Sequence, residues 1–305
     1  MKLGFVSAIV PELPLEQVLA LARDEGFSCV EVMCWPVGKA ERKYAGITHI
    51  DATDFTVTQA DEINACCERF GVVISGLGYY PNPLDPNPEA SKAAVNHLKR
   101  VIVAAQKIGL VNVNTFIGRD WTKSVDDNWP RFLKTWKPLV AFAEDHGIKI
   151  GIENCPMLFS KDEWPGGKNL AMCPAIWRRM FSDIPSGNFG LNYDPSHPVL
   201  LRFDHLKPLR EFRDKLFHIH AKDVRHDETA FDDWGILGLP KQYHAPRIPG
   251  FGEIDWGQFI GTLMEVGYDG AVCIEVEDET FGKDLDGRKR AVQVARNVLK
   301  PFFAR

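Results

Sequence analysis

Asn192-Tyr-Asp-Pro-Ser-His197 closes a short apolar segment past the middle of the chain, and it puts Asp194 and His197 together where a strand should give way to a loop. Three other segments end the same way: Ile150-Gly-Ile-Glu153, Phe217-His-Ile-His220 and Val272-Cys-Ile-Glu275. A carboxylate inside an apolar run is expensive unless it is paired or bound to a cation. Four acidic or imidazole side chains in equivalent positions therefore suit one shared ion, provided the strands that carry them converge.

The chain around these segments gives reasons to expect convergence. Eight short apolar runs read as strands: Leu3–Ile9, Val30–Trp35, Val72–Tyr80, Leu110–Phe116, Lys149–Cys155, Gly190–Asp194, Leu216–Ala221 and Ala271–Val276. Helical patterns lie between them, with a last one at Asp286–Leu299. Thr58, three residues before Asp61, reads as a weak capping box, and Pro138 is expected to kink or split the helix of roughly 129–146. Strands alternating with helices indicate a parallel sheet with crossover helices. Eight such units in 305 residues, with no linker dividing them, predict an α/β fold in which residues 1–305 form a single (β/α)8 TIM barrel. An open doubly wound sheet is the rival, but the first strand is followed by Ser-Ala-Ile-Val-Pro rather than Gly-x-Gly-x-x-Gly. One stretch, at about 222–254 after the seventh strand, shows no clear periodicity and reads as a long loop; loops that long commonly cover a site.

Bulk properties narrow the function. The chain is 45% hydrophobic and 25% charged, with a net charge of −5, and has no run of five or more Lys/Arg, so no nucleic-acid partner is expected. The first residues read as a strand rather than a signal peptide, and no window approaches a membrane span. Seven dispersed cysteines without a Cys-x-x-Cys pair read as free thiols in a reducing compartment, hence a cytoplasmic protein. A homo-oligomer is compatible with this, dimers being the commonest soluble assembly.

In a closed barrel the C-terminal strand ends surround one mouth. Glu153, Asp194, His220 and Glu275 would meet there, with His218 and Glu277 two residues away on the same sides. Three carboxylates and an imidazole form a mostly oxygen donor set that favours Mn²⁺, Mg²⁺ or Co²⁺ and admits Zn²⁺. The excess negative charge calls for a nearby cation, and Lys222 and Arg247 are available. Trp35, Tyr79, Phe116, Trp164 and Trp234 are rim aromatics by position, His97, His146 and His226 read as surface or loop residues, and His49 lies in a loop of open path.

The motifs Gly151-Ile-Glu153-Asn, Asp194-Pro-Ser-His197, His218-Ile-His220-Ala-Lys-Asp223, Gly250-Phe-Gly-Glu-Ile-Asp255 and Gly267-Tyr-Asp-Gly270 before Glu275 resemble, over essentially the whole chain, the xylose isomerase-like TIM-barrel superfamily, in its sugar phosphate isomerase/epimerase group. The resemblance implies one divalent metal, with Mn²⁺ favoured, held by Glu153, Asp194, His220 and Glu275. It also implies substrate contacts from His197, with Arg247 near the positions where related enzymes place binding side chains. The endonucleases of the superfamily draw extra histidines from early strands; here those stretches read Leu77-Gly-Tyr-Tyr80 and Asn112-Val-Asn-Thr-Phe116, which argues against an apurinic-site endonuclease.

The expected activity is a metal-dependent isomerase or epimerase of a ketose or related hydroxy-carbonyl sugar or polyol, working through an enediolate. Glu153 and Glu275 would exchange the proton, while Lys222, His197 and Arg247 would position the substrate. A metal-dependent sugar or inosose dehydratase (a lyase) is the alternative, since it would share the enediolate. A non-catalytic carbohydrate-binding barrel is the reading from a different class. The acidic Glu277-Asp-Glu279 after the last strand, where a phosphate loop would need backbone donors, favours an unphosphorylated substrate.

Overall fold

The computed structural model describes residues 1–38, 45–157 and 167–303. Strands β1 (Lys2–Val6), β2 (Cys29–Met33), β3 (Val73–Gly78), β4 (Asn112–Thr115), β5 (Lys149–Glu153), β6 (Phe189–Tyr193) and β7 (Leu216–Ala221) are joined by a last barrel strand, β10 (Ala271–Ile274). All eight pair in parallel, in the order β1-β10-β7-β6-β5-β4-β3-β2, and the ring closes. Every residue of β2 and β6 is buried, as a strand covered on both faces requires. Helices α1 (Leu15–Asp24), α2 (Val57–Phe70), α3 (Pro88–Ile108), α4 (Val125–Asp145) and α5 (Pro174–Asp183) follow the first five strands. Two short helices, α6 (Ser196–Leu200) and α7 (Lys207–Glu211), follow β6. No helix among the described residues is long and apolar enough to cross a membrane.

Local chemistry sets the element ends, and in places it differs from the sequence reading. Helix α2 is capped by Thr56, not Thr58: Gln59 supplies the third-position partner and the reciprocal capping box is complete. Helix α4 starts at Val125 under a Ser124 cap and runs unbroken through both Pro130 and Pro138. Its length lets packing outweigh the carbonyls that proline leaves unpaired. His97 is buried in the barrel coat, its Nε2 2.8 Å from the Cys34 carbonyl oxygen, rather than at the surface.

The stretch expected as a loop at 222–254 is instead a built insertion. It holds an antiparallel pair, β8 (Asp223–His226) with β9 (His244–Arg247), and two short helices, α8 (Glu228–Trp234) and α9 (Pro240–Tyr243). Its root is held by Asp223, which is fully buried. The Asp223 carboxylate accepts from the backbone N–H of Val224 (2.9 Å), Gly250 (3.1 Å) and Ile254 (3.1 Å) and from the indole of Trp256 (2.9 Å). Gly252 makes this approach possible, because a Cβ there would stand 2.1 Å from Asp223 Oδ1 and 2.4 Å from the Val224 carbonyl oxygen. Glu253 closes the far side by accepting from the backbone N–H of His226 (2.5 Å). The Gly-Phe-Gly-Glu segment is thus bolted to the end of β7, and helices α10 (Trp256–Glu265), capped by Asp255, and α11 (Leu285–Leu299) complete the coat.

Candidate metal centre at the barrel mouth

Strands β5, β6, β7 and β10 deliver Glu153, Asp194, His220 and Glu275 to one place, each with a ligand atom within 4.8 Å of the others. His220 Nδ1 lies 3.9 Å from Glu153 Oε2 and 3.7 Å from Glu275 Oε2. Two motif neighbours fix the frame. Asn154 donates to the Asp194 carbonyl oxygen (3.0 Å) and accepts from the Asp194 N–H (2.7 Å), which locks the ends of β5 and β6 together. Asp194 Oδ1 accepts from the Ser196 N–H at 2.8 Å, leaving Oδ2 to face the centre.

Two buried atoms of this group, Asp194 Oδ2 and His220 Nδ1, have no hydrogen-bond partner among the described residues. Asp194 Oδ2 meets only the charges of Lys222 (3.1 Å) and His197 (3.3 Å). Unsatisfied buried atoms on an acid and an imidazole, aimed into one space with two more carboxylates, fit a bound cation. The other ring nitrogen of His220, Nε2, lies 2.6 Å from Glu31 Oε2, an arrangement typical of metal-binding histidines.

Lys222 is almost wholly buried and stands among the acids, with its ammonium 2.8 Å from Glu275, 3.1 Å from Asp194 and 3.2 Å from Glu277. The expected compensating cation is therefore present within the chain. Burial lowers the Lys222 pKa, but four carboxylates outweigh it and hold the ammonium well above its ordinary range. Burial pushes Glu275 up to about 7, with Glu277 and Glu153 adding to the effect and Lys222 opposing it. At Glu153 burial acts in the same sense, yet the hydrogen bond from His197 and the charges on His220 and Lys222 bring it below the usual carboxylate range. His197 and His220 are held well above the ordinary imidazole range: burial lowers both, and neighbouring anionic groups more than reverse it.

A cavity of about 640 Å³ opens above the acids, lined by His197, Lys222 and Glu277 on the barrel side and by Lys241, His244 and Arg247 of the insertion. Arg247 reaches the cavity wall, but its guanidinium is tied to Asp278 at 3.2 Å. His197 bridges Glu153 Oε1 and Asp194 Oδ2, at 3.3 Å from each. His218 sits below His220 with Ser75 and Asn192 as partners, His49 bonds Ser7, and His226 faces Glu253. Of the aromatic set, Tyr79 and Phe116 are buried in packing, Trp234 is 57% exposed at the insertion tip, and Trp164 lies outside the described residues. Trp35 packs edge-on to Tyr79. Glu31 and Tyr80 were not singled out from the sequence. A carboxylate within the apolar run Cys29-Val-Glu-Val-Met33 was the available signal, the same one that marks Glu153.

A family profile described as xylose isomerase-like TIM barrel matches residues 19–301. The chain belongs to this family. YfiH of Bacillus subtilis, an uncharacterised protein, is 25% identical over 98% of this chain and 99% of its own length. An inosose dehydratase of Lacticaseibacillus casei is 28% identical over 59% of this chain and 58% of its own. Among solved xylose isomerase-like structures, a D-psicose 3-epimerase from Clostridium cellulolyticum H10, crystallised with D-tagatose, superposes with a TM-score of 0.71 at 17% identity over 100% of both chains. Proteins resembling this chain thus include both sugar epimerases and dehydratases.

Proposed function

We propose that the protein is a divalent-metal-dependent isomerase or epimerase of a ketose or related hydroxy-carbonyl sugar. The observation that carries this reading is the meeting of Glu153, Asp194, His220 and Glu275, with Asp194 Oδ2 and His220 Nδ1 unsatisfied by hydrogen bonds among the described residues. These four would hold the ion, and the oxygen-rich donor set favours Mn²⁺, Mg²⁺ or Co²⁺ over softer choices. A bound dication would polarise a substrate carbonyl and acidify the adjacent C–H.

The chain's own residues supply the proton chemistry. Glu153 and Glu275 come from the non-neighbouring strand ends β5 and β10 and flank His220. One takes the proton from the carbon beside the carbonyl, leaving an enediolate, and the other returns a proton to the opposite face. Lys222 and His197, both on the cavity floor, place donors against the hydroxyls and the developing oxyanion. Arg247, held by Asp278, adds positive charge at the wall, and the insertion covers the mouth and limits water.

The similarity to an inosose dehydratase favours a second reading, in which the same enediolate expels a β-hydroxyl as water. One experiment separates the two. Purified protein is assayed for bound metal, stripped with chelator, reloaded with Mn²⁺ and incubated in deuterated water with a panel of ketoses and inososes. Exchange of one carbon-bound proton with formation of an epimer or isomer supports the first reading; a new absorbing product supports the second. Sugar binding without exchange or product, under metal loading, would refute both.

A further inference from the structure

Beneath the mouth, a fully buried carboxylate has no lysine or arginine partner among the described residues. Glu31 on β2 meets only His220 Nε2 (2.6 Å), the hydroxyl of Tyr80 and, at 3.7 Å, His218 Nδ1. A seat is cut for it: a Cβ at Gly78 on the neighbouring strand would stand 2.7 Å from Glu31 Oε1. Burying a carboxylate with no permanent cation beside it is costly, so a packing role alone explains Glu31 poorly.

The surrounding polar contacts fix which His220 nitrogen carries the proton. Ser75 Oγ lies 3.0 Å from His218 Nε2, and His218 Nδ1 lies 3.1 Å from Asn192 Oδ1. The Asn192 Nδ2 lies 3.0 Å from both the Tyr80 oxygen and His220 Nε2, and the Tyr80 hydroxyl donates to Glu31. A lone pair on Nε2 would face the Glu31 carboxylate at 2.6 Å, so Nε2 carries the proton and Asn192 donates to Tyr80. With Oε1 of Glu31 taken by Tyr80, Oε2 is left to accept from His220 Nε2–H. A ring that donates through Nε2 presents the lone pair of Nδ1, and Nδ1 is the atom facing Glu153 and Glu275.

We infer that Glu31, set by Tyr80, is a positioning residue that fixes the tautomer and tilt of His220 so that Nδ1 is offered to the cation. This rests on the metal reading proposed above and names the device that prepares the site for it. Polarisation by Glu31 also makes the imidazole a stronger donor to the ion.

The test measures Mn²⁺ affinity of chelator-stripped protein by calorimetry, and the absorption spectrum of the Co²⁺-loaded form, in wild type, Glu31→Gln and Tyr80→Phe. Loss of such a partner typically weakens metal binding by about 10–100-fold. Glu31→Gln should fall in that range with an altered Co²⁺ spectrum, and Tyr80→Phe should shift the same way by less. Wild-type affinity and an unchanged spectrum in both variants would overturn the positioning role while leaving the metal site standing. Should Glu31→Gln not fold, Tyr80→Phe alone decides, since it leaves the carboxylate in place. Failure of the wild type to bind either ion would remove the metal reading itself, and this role with it.

Discussion

Asp223→Asn is the most informative single change outside the acid cluster, because it separates the holding of the insertion from the chemistry beneath it. The carboxylate satisfies four buried donors, with Val224 and Ile254 on Oδ1 and Gly250 and Trp256 on Oδ2. An isosteric amide keeps one acceptor oxygen and turns an NH2 towards the other pair of donors, so two bonds to an ionised group are lost. At about 1.5–3 kcal/mol for each such bond, the expected loss of stability is about 3–6 kcal/mol. Urea unfolding followed by far-UV circular dichroism measures it, and limited proteolysis should find new cleavage within 223–254. A variant that loses less than about 0.5 kcal/mol, the range of ordinary surface substitutions, and resists protease like the wild type would show that other contacts hold the insertion.

Gly252→Ala attacks the same joint from the other side and should produce the same cleavage pattern; wild-type resistance would mean that the 2.1 Å approach relaxes easily. Glu153→Gln and Glu275→Gln should each lower turnover by about 10²–10⁴-fold, with the circular dichroism spectrum unchanged, if they exchange the substrate proton. Lys222→Met removes an ammonium that contacts Asp194, Glu275 and Glu277, so Mn²⁺ should raise the melting temperature of the variant more than that of the wild type; equal shifts would show that lysine and metal do not compete. Burial, with His226, His197 and Lys241 nearby, pushes His244 down to about 4, from the usual imidazole value. The unfolded chain therefore binds the extra proton between about pH 6.5 and 4, and stability, complete above that window, should fall within it by at most about 3 kcal/mol. His244→Gln should flatten that limb of a stability–pH curve.

The barrel was legible because its strands are short, apolar on both faces and regularly spaced, and the four mouth residues because each interrupts such a run. Glu31 carried the same mark but no motif of its own, and its partner His220 is far away in sequence, so its purpose is visible only once β2 and β7 face each other across the barrel. The insertion was read as a loop because its strands are four residues long and one reads His-Ala-Pro-Arg, which offers no alternation. What anchors its root is an aspartate that collects donors from Gly250, Ile254 and Trp256, about thirty residues away, which no local pattern encodes. His97 was misplaced although Ala94 and Val101 flank it at helical spacing on a buried face. The cap at Thr56 has no mark in the apolar pattern, because Val57, the first helical residue, is exposed and stands outside the buried face.

Because the insertion is clamped at its base while Trp234, Ile236 and Leu237 at its tip are left in solvent, its far end carries little of the protein's mechanical load. Residues there can be exchanged, lengthened or borrowed from a homologue without unseating the acids at the mouth. That division makes the tip, whose Trp234, Ile236 and Leu237 lie outside the cavity lining, the natural place for a protein engineer to attach a label or a tether.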